Sequence, residues 1–206
     1  RADYGLLSPL IRSLQDTKEI RITLIATGTH LSALHGMTIR EIVTDGNKVN
    51  IKIPFNLDSD EPIKLVSSAG LFCRALAQKL NTSNFDAIII LGDRFEMLPA
   101  AYTAAMMNIK IVHLHGGEIT LGAIDNKMRF AISHLADLHI TATEQSKTRL
   151  LKCGFDPSTV FMTGALGVEN ALKMKKASRI EIERKIGVKF CNKNILFTFH
   201  PETVSV

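Results

Sequence analysis

The chain has 206 residues, 46% of them hydrophobic, and a formal charge of +5, which allows one substantial core and part of a second domain. Its apolar runs are too short to cross a bilayer as a helix, and its N-terminal residues form no signal-peptide core, so the expected address is cytoplasmic with no membrane partner. Nor does the charge mark a nucleic-acid partner: residues 164–193 hold eight Lys and Arg against three acids, the whole of the excess, and interleave them only with Phe190. That segment reads as a solvated helix face.

At the N-terminus, residues 1–5 lead straight into the helical pattern Leu6, Leu7, Leu10, Ile11, Leu14, with Pro9 near its start. No strand precedes it. In a doubly wound fold the first strand is usually central, so the sequence is expected to lack upstream residues, and a structure to show either a gap in the sheet or further residues ahead of Arg1. Apolar β-branched runs then alternate with amphipathic ones: 20–27, 63–80, 87–91, 98–107, 110–114, 124–135, 138–142, 144–153 and 160–163. The alternation predicts an α/β fold, a Rossmann-like doubly wound parallel sheet with helices on both faces. Cys73, Cys153 and Cys191 have neither zinc nor redox spacing and read as reduced thiols, Cys73 as a buried structural one.

Gly164 to Gly167 is a small-residue turn, followed by one charged helix-prone stretch over 168–186. The expected division is a domain over 1–167, then a linker helix and the opening of a second domain over 168–206. Residues 194–199 read as the first strand of that domain, and the chain is expected to be cut short at both ends.

In open parallel sheets ligands bind beyond the carboxyl ends of the strands. The polar residues there are Thr27-Gly28-Thr29-His30, Gly92-Asp93-Arg94, His113-Leu114-His115-Gly116-Gly117-Glu118 and Thr143-Glu144. Asp93 follows an apolar strand and is either a carboxylate delivered to the active edge or the N-cap of the next helix. His113 and His115 share a strand face, with Glu118 just beyond a Gly-Gly turn. Two close histidines without a distant partner motif are a weak zinc signal, so acid/base or binding duty is the better reading, and His113 alone also fits a core histidine. Asp125 and Arg129 lie four apart on a helix, a spacing that favours an ordinary pair over a shared approach to the cleft. No dinucleotide or Walker fingerprint occurs, which argues against NAD or ATP chemistry.

Taken in order, Arg1-Ala2-Asp3-Tyr4-Gly5-Leu6-Leu7, Gly92-Asp93-Arg94-Phe95-Glu96, His113-Leu114-His115-Gly116-Gly117-Glu118, Gly122-Ala123-Ile124-Asp125, Gly164-Ala165-Leu166-Gly167 and His200-Pro201-Glu202-Thr203 resemble the hydrolysing UDP-N-acetylglucosamine 2-epimerases of bacterial sialic-acid and legionaminic-acid type. The resemblance implies two Rossmann-like domains of GT-B type, of which this chain holds the first and the start of the second, and a homo-oligomeric full-length protein. It implies a UDP-sugar substrate, no metal and no cofactor: UDP leaves C1 as the C2 proton is removed, and water adds to the resulting glycal with inversion at C2. Asp93, Glu118, Asp125 and Arg129 would then surround the sugar. His200 would approach from the second domain, Arg1 would meet the diphosphate, and His30 would contribute to substrate binding. Related eukaryotic and non-hydrolysing enzymes carry glutamate where His115 stands, so both His115 and Glu118 are candidates for proton transfer there.

Overall fold

The computed structural model describes residues 2–57, 61–120, 123–173 and 176–198. Arg1 and His200 lie outside these residues. The first helix, α1 (Ala2–Gln15), carries Pro9 in its interior rather than near its start. A proline there cannot donate to the carbonyl four residues back, that of Gly5. The Asn170 side-chain amide takes that carbonyl instead, so the orphaned acceptor is satisfied from another element.

Strands β1 (Ile25–Ala26) and β2 (Ile51–Lys52) pair in parallel around helix α2 (Ile39–Thr44). The ladder is far shorter than the 20–27 run suggested. Its partner strand was not read from the sequence at all. Helix α3 (Pro62–Leu80) starts on a proline, whose missing N–H costs nothing in the first turn, and buries Ser68, Phe72, Leu76 and Leu80 at four-residue spacing.

The main sheet runs β3 (Ala87–Leu91), β4 (Lys110–Leu114), β5 (Leu138–Thr141) and β6 (Val160–Met162), all parallel and in that spatial order. Helices α4 (Met97–Met106), α5 (Asp125–Leu135) and α6 (Glu144–Lys152) make the crossovers that parallel neighbours require. Three alanines of α4, Ala100, Ala101 and Ala104, are buried and let the helix sit close on Ile90 and Ile111, with Phe72, Leu76 and Ile132 closing the core. Ile53 and Phe55, just after β2, belong to the same core, so the two separately hydrogen-bonded groups of strands share one interior. The parallel α/β architecture is the one expected.

Register places the chemistry. Leu91 pairs with Leu114, and Leu114 with Ile140, so Gly92, His115 and Thr141 emerge side by side at the carboxyl edge.

Beyond the sheet the single charged helix expected over 168–186 is two helices, α7 (Leu166–Lys173) and α8 (Arg179–Ile186). Ser178 and Glu181 form a capping box that starts α8 afresh, and Gly187 closes it at φ 72°. Residues 194–198 form no strand, contrary to the reading of 194–199, of which Phe199 lies outside the described residues. Ile195 and Leu196 are 95% and 93% exposed. An apolar run becomes a strand only when a neighbour takes its backbone hydrogen bonds, and none of the described strands does so here. Cys73 is half-buried rather than buried, its Sγ turned toward the Pro99 carbonyl at 3.7 Å in the α3–α4 seam.

Candidate functional site at the carboxyl edge

His113 is fully buried at the end of β4 and bonded at both ring nitrogens. Nε2 is 2.8 Å from the Gly92 carbonyl and Nδ1 is 3.0 Å from Ser133 Oγ. A carbonyl only accepts, so Nε2 carries the proton and Nδ1 accepts from the serine. Burial pushes the imidazole pKa down to about 4, which keeps it neutral. His113 therefore ties the loop after β3 to β4 and α5. It is the core histidine of the two readings, and its partners hold the turn that presents Asp93.

Asp93 forms an ion pair with Arg129 of α5, both largely shielded from solvent. The helix cap proposed for Asp93 falls to Glu96 instead, which makes no capping hydrogen bond. The ordinary pair expected between Asp125 and Arg129 is likewise replaced: Arg129 reaches 36 residues back to Asp93. Its Nη1 also donates to the Glu118 carbonyl at 2.9 Å. Burial lowers the pKa of this guanidinium, and the Asp93 carboxylate is the countercharge in contact with it.

His115 follows β4 in a left-handed conformation, φ 63°, which a side-chain-bearing residue seldom adopts. Its neighbours explain why the chain accepts this. A Cβ on Gly116 would come within 3.1 Å of His113 Nδ1 and Ser133 Oγ, and one on Gly117 within 2.4 Å of the Ser146 carbonyl. Arg149 of α6 binds the Gly117 carbonyl. The turn is thus clamped from both sides, and His115 Nδ1 lies 3.2 Å from Glu118 Oε1.

A second charged group stands beside this one; Arg94 and Thr29 were among the strand-end residues read from the sequence, but the pairing of Arg94 with Glu96 and Asp3 was not. Arg94 Nε is 3.0 Å from Glu96 Oε1 and 3.2 Å from Asp3 Oδ2 of α1, and Nη2 donates to Thr29 Oγ1 at 3.2 Å. Burial disfavours its charge, but Glu96 and Asp3 outweigh that and raise its pKa, with a further contribution from Asp125. Gly28, at φ 56°, leaves room for Glu96, whose Oε1 would lie 2.5 Å from any Cβ there. The signal was the alternation Asp93, Arg94, Glu96 at one strand end.

The structure thus brings Asp93, Arg129, Glu118 and His115 into one bonded chain, with Asp125 in electrostatic reach of Arg94. His30 stands with the second group: like Asp125 it lies in electrostatic reach of Arg94, and also of Asp3 and Glu96. Its Nδ1 is 2.8 Å from Thr38 Oγ1, and burial lowers its pKa. Thr143 caps α6 by accepting from Ser146 N, a structural use of that strand end. Among the described residues no three His, Cys, Asp or Glu side chains are grouped to hold a metal ion.

The sequence matches the family model described as UDP-N-acetylglucosamine 2-epimerase over residues 12–205. The chain belongs to that family. It is 34% identical over 205 residues to polysialic acid biosynthesis protein P7 of Escherichia coli, covering 100% of this chain and 52% of the relative. It is 37% identical over 206 residues to a GDP/UDP-N,N'-diacetylbacillosamine 2-epimerase (hydrolyzing) of Campylobacter jejuni, covering 100% and 53%. The chain spans about half the length of the curated relatives it matches. Among solved structures, the UDP-GlcNAc 2-epimerase of Neisseria meningitidis bound to UDP-GlcNAc shares the fold at a TM-score of 0.74 and 19% identity, over 91% of this chain and 49% of that one.

Proposed function

We propose that this chain supplies the first domain of a hydrolysing nucleotide-sugar 2-epimerase. The substrate would be UDP-N-acetylglucosamine or a 2,4-diacetamido analogue, and the products the free 2-epimer and UDP. The observation that carries the reading is the Asp93–Arg129–Glu118–His115 chain at the carboxyl edge, in a family member similar to enzymes named as hydrolyzing epimerases.

The chemistry breaks two bonds to the sugar and adds one water. A base removes the C2 proton as the C1–O bond to UDP breaks, leaving a glycal. Water then supplies hydroxyl to C1 and a proton to the opposite face of C2. The C2 proton is weakly acidic, so a positioned carboxylate or imidazole is required, and the departing diphosphate needs positive charge nearby. In this reading Asp93, Glu118, Asp125 and His115 hold and move protons, while Arg129 and His30 bind substrate. Arg129 also aims Asp93. Arg1 and His200, outside the described residues, are assigned to the diphosphate and to the second domain's contribution.

The proposed division is a Rossmann-like domain over 1–167 and a linker with the opening of a second domain over 168–206. A cytoplasmic address accords with a nucleotide-sugar enzyme, and no described helix is long and apolar enough to cross a membrane. For the full-length protein we propose a homo-oligomer, supported by the exposed apolar side chains Ile63 and Val66 on α3 and Tyr102 and Met106 on α4.

The test is to incubate the full-length protein with UDP-N-acetylglucosamine, and separately with its 2,4-diacetamido analogue, in the absence of any acceptor. Free UDP with the matching 2-epimer is the expected product of one of them. A glycosyltransferase of the same fold would need an acceptor, and UDP release with an unchanged sugar configuration would overturn the epimerase reading.

A further inference from the structure

Helix α7 leaves the end of β6 and turns back onto α1, and three contacts define how it lies. The Asn170 amide holds the Gly5 carbonyl that Pro9 leaves without a donor. Gly167 faces Leu6 so closely that a Cβ would meet Leu6 Cδ2 at 3.2 Å. At the helix start, the Leu166 N–H donates to His115 Nε2 at 3.5 Å.

The last contact decides the state of His115. The first amides of a helix have no partner within it, and here one of them is taken up by an imidazole nitrogen. A ring nitrogen that accepts from an amide carries no proton, so the proton sits on Nδ1, which faces Glu118 Oε1 at 3.2 Å.

We propose that α7, latched to α1 through Asn170 and Gly5, is a positioning element that holds His115 as its Nδ1–H tautomer and so fixes the direction in which the His115–Glu118 pair passes a proton. Asn170 touches no reacting atom; it acts through His115. The proposal rests on the reading of His115 and Glu118 as the proton-handling pair, and its test separates the two.

In the full-length enzyme, Asn170→Ala is expected to lower kcat about 10- to 100-fold while KM for the UDP-sugar changes little, because the loss is one of orientation. The pH profile of kcat should move with it. Asn170→Gln, which keeps an amide donor, should recover part of the rate. In a His115→Gln background Asn170→Ala should have no further effect, since the group it positions is gone. Independently of rate and folding losses in variants, 15N imidazole shifts of the unmodified protein should report Nε2 of His115 as unprotonated. If His115→Gln is impaired but Asn170→Ala is silent, or the two effects simply add, or Nε2 carries the proton, the latch is wrong. If His115→Gln alone is without effect, it is the proton-pair reading that fails.

Discussion

Asp93 and Arg129 arrive at the same point from a strand end and a helix face, and their ion pair is mostly closed to water. The chemical and structural roles of the pair can therefore be tested with two different variants. Asp93→Asn keeps size and an acceptor for Arg129, so the protein should remain folded, and for a group acting in the transition state kcat/KM should fall on the order of 10²-fold or more. Near-normal turnover in a folded variant would exclude Asp93 from the chemistry. Arg129→Ala leaves the half-buried Asp93 carboxylate unpaired and should cost up to about 3 kcal/mol in chemical denaturation, the low end of the range for a fully buried pair. His113 predicts a pH dependence of a different kind. Its pKa is about 4 in the fold and 6.5 in the unfolded chain, so between those values the unfolded state binds the extra proton. Stability from this group is complete above pH 6.5 and falls as pH drops toward 4, by on the order of 3 kcal/mol. Burial lowers His30 and His139 too, and both act in the same direction. Denaturation midpoints measured from pH 7 to 4 should show the fall, and His113→Gln should flatten it.

At the scale of elements, the sheet was legible because strands covered on both faces read as continuous apolar runs. The 87–91 and 110–114 runs coincide with β3 and β4 to the residue. Where that signal is short or unpaired, it fails. β2 lies in the alternating stretch Val49, Ile51, Ile53, Phe55, which a search for continuous apolar runs passes over, and 194–198 has the run without a neighbouring strand. The candidate site was legible as strand-end residues but not as a network, because spacing reports only local pairs. Asp125 and Arg129 have the right interval, yet Arg129's partner is 36 residues away, and nothing in one sequence records that. Turn glycines sort by the same logic of neighbours. Gly117→Ala combines φ 75° with a Cβ 2.4 Å from a backbone carbonyl, whereas Gly92→Ala meets φ 72° with open space around it. The second should cost about 1–2 kcal/mol for the left-handed backbone alone. The first should cost clearly more and displace His115 and Glu118, a contrast that denaturation of the two variants would measure. Equal losses would mean that the clamp by α6 is slack.

For the molecule as a whole, α7 packs on α1 while the residues after α8 pack on little. Neither α7 nor α8 fully buries a side chain, but Asn170 and Gly167 bind α7 to α1, whereas Ile195, Leu196 and Phe197 stand almost fully in solvent. Apolar side chains so exposed in sequence are the surface that, in the proposed division, the second domain covers. Proteolysis follows the free energy of local opening, which is smallest where few buried contacts hold the backbone. Limited chymotrypsin digestion of the 206-residue chain alone should therefore cut first after Leu196 or Phe197, leaving a resistant fragment that still contains β3 to β6 and α7. In the full-length protein the same bonds should be protected, because the run would then be a strand in its own sheet. Equal cleavage at Leu196 and Phe197 in both would show that nothing covers this run. First cleavage within β3 to β6 would show that the first domain does not stand by itself. The isolated chain should also release no UDP from UDP-N-acetylglucosamine, since His200's proposed approach depends on the domain that presents it, and release at the full-length rate would place the whole reaction on residues 1–206.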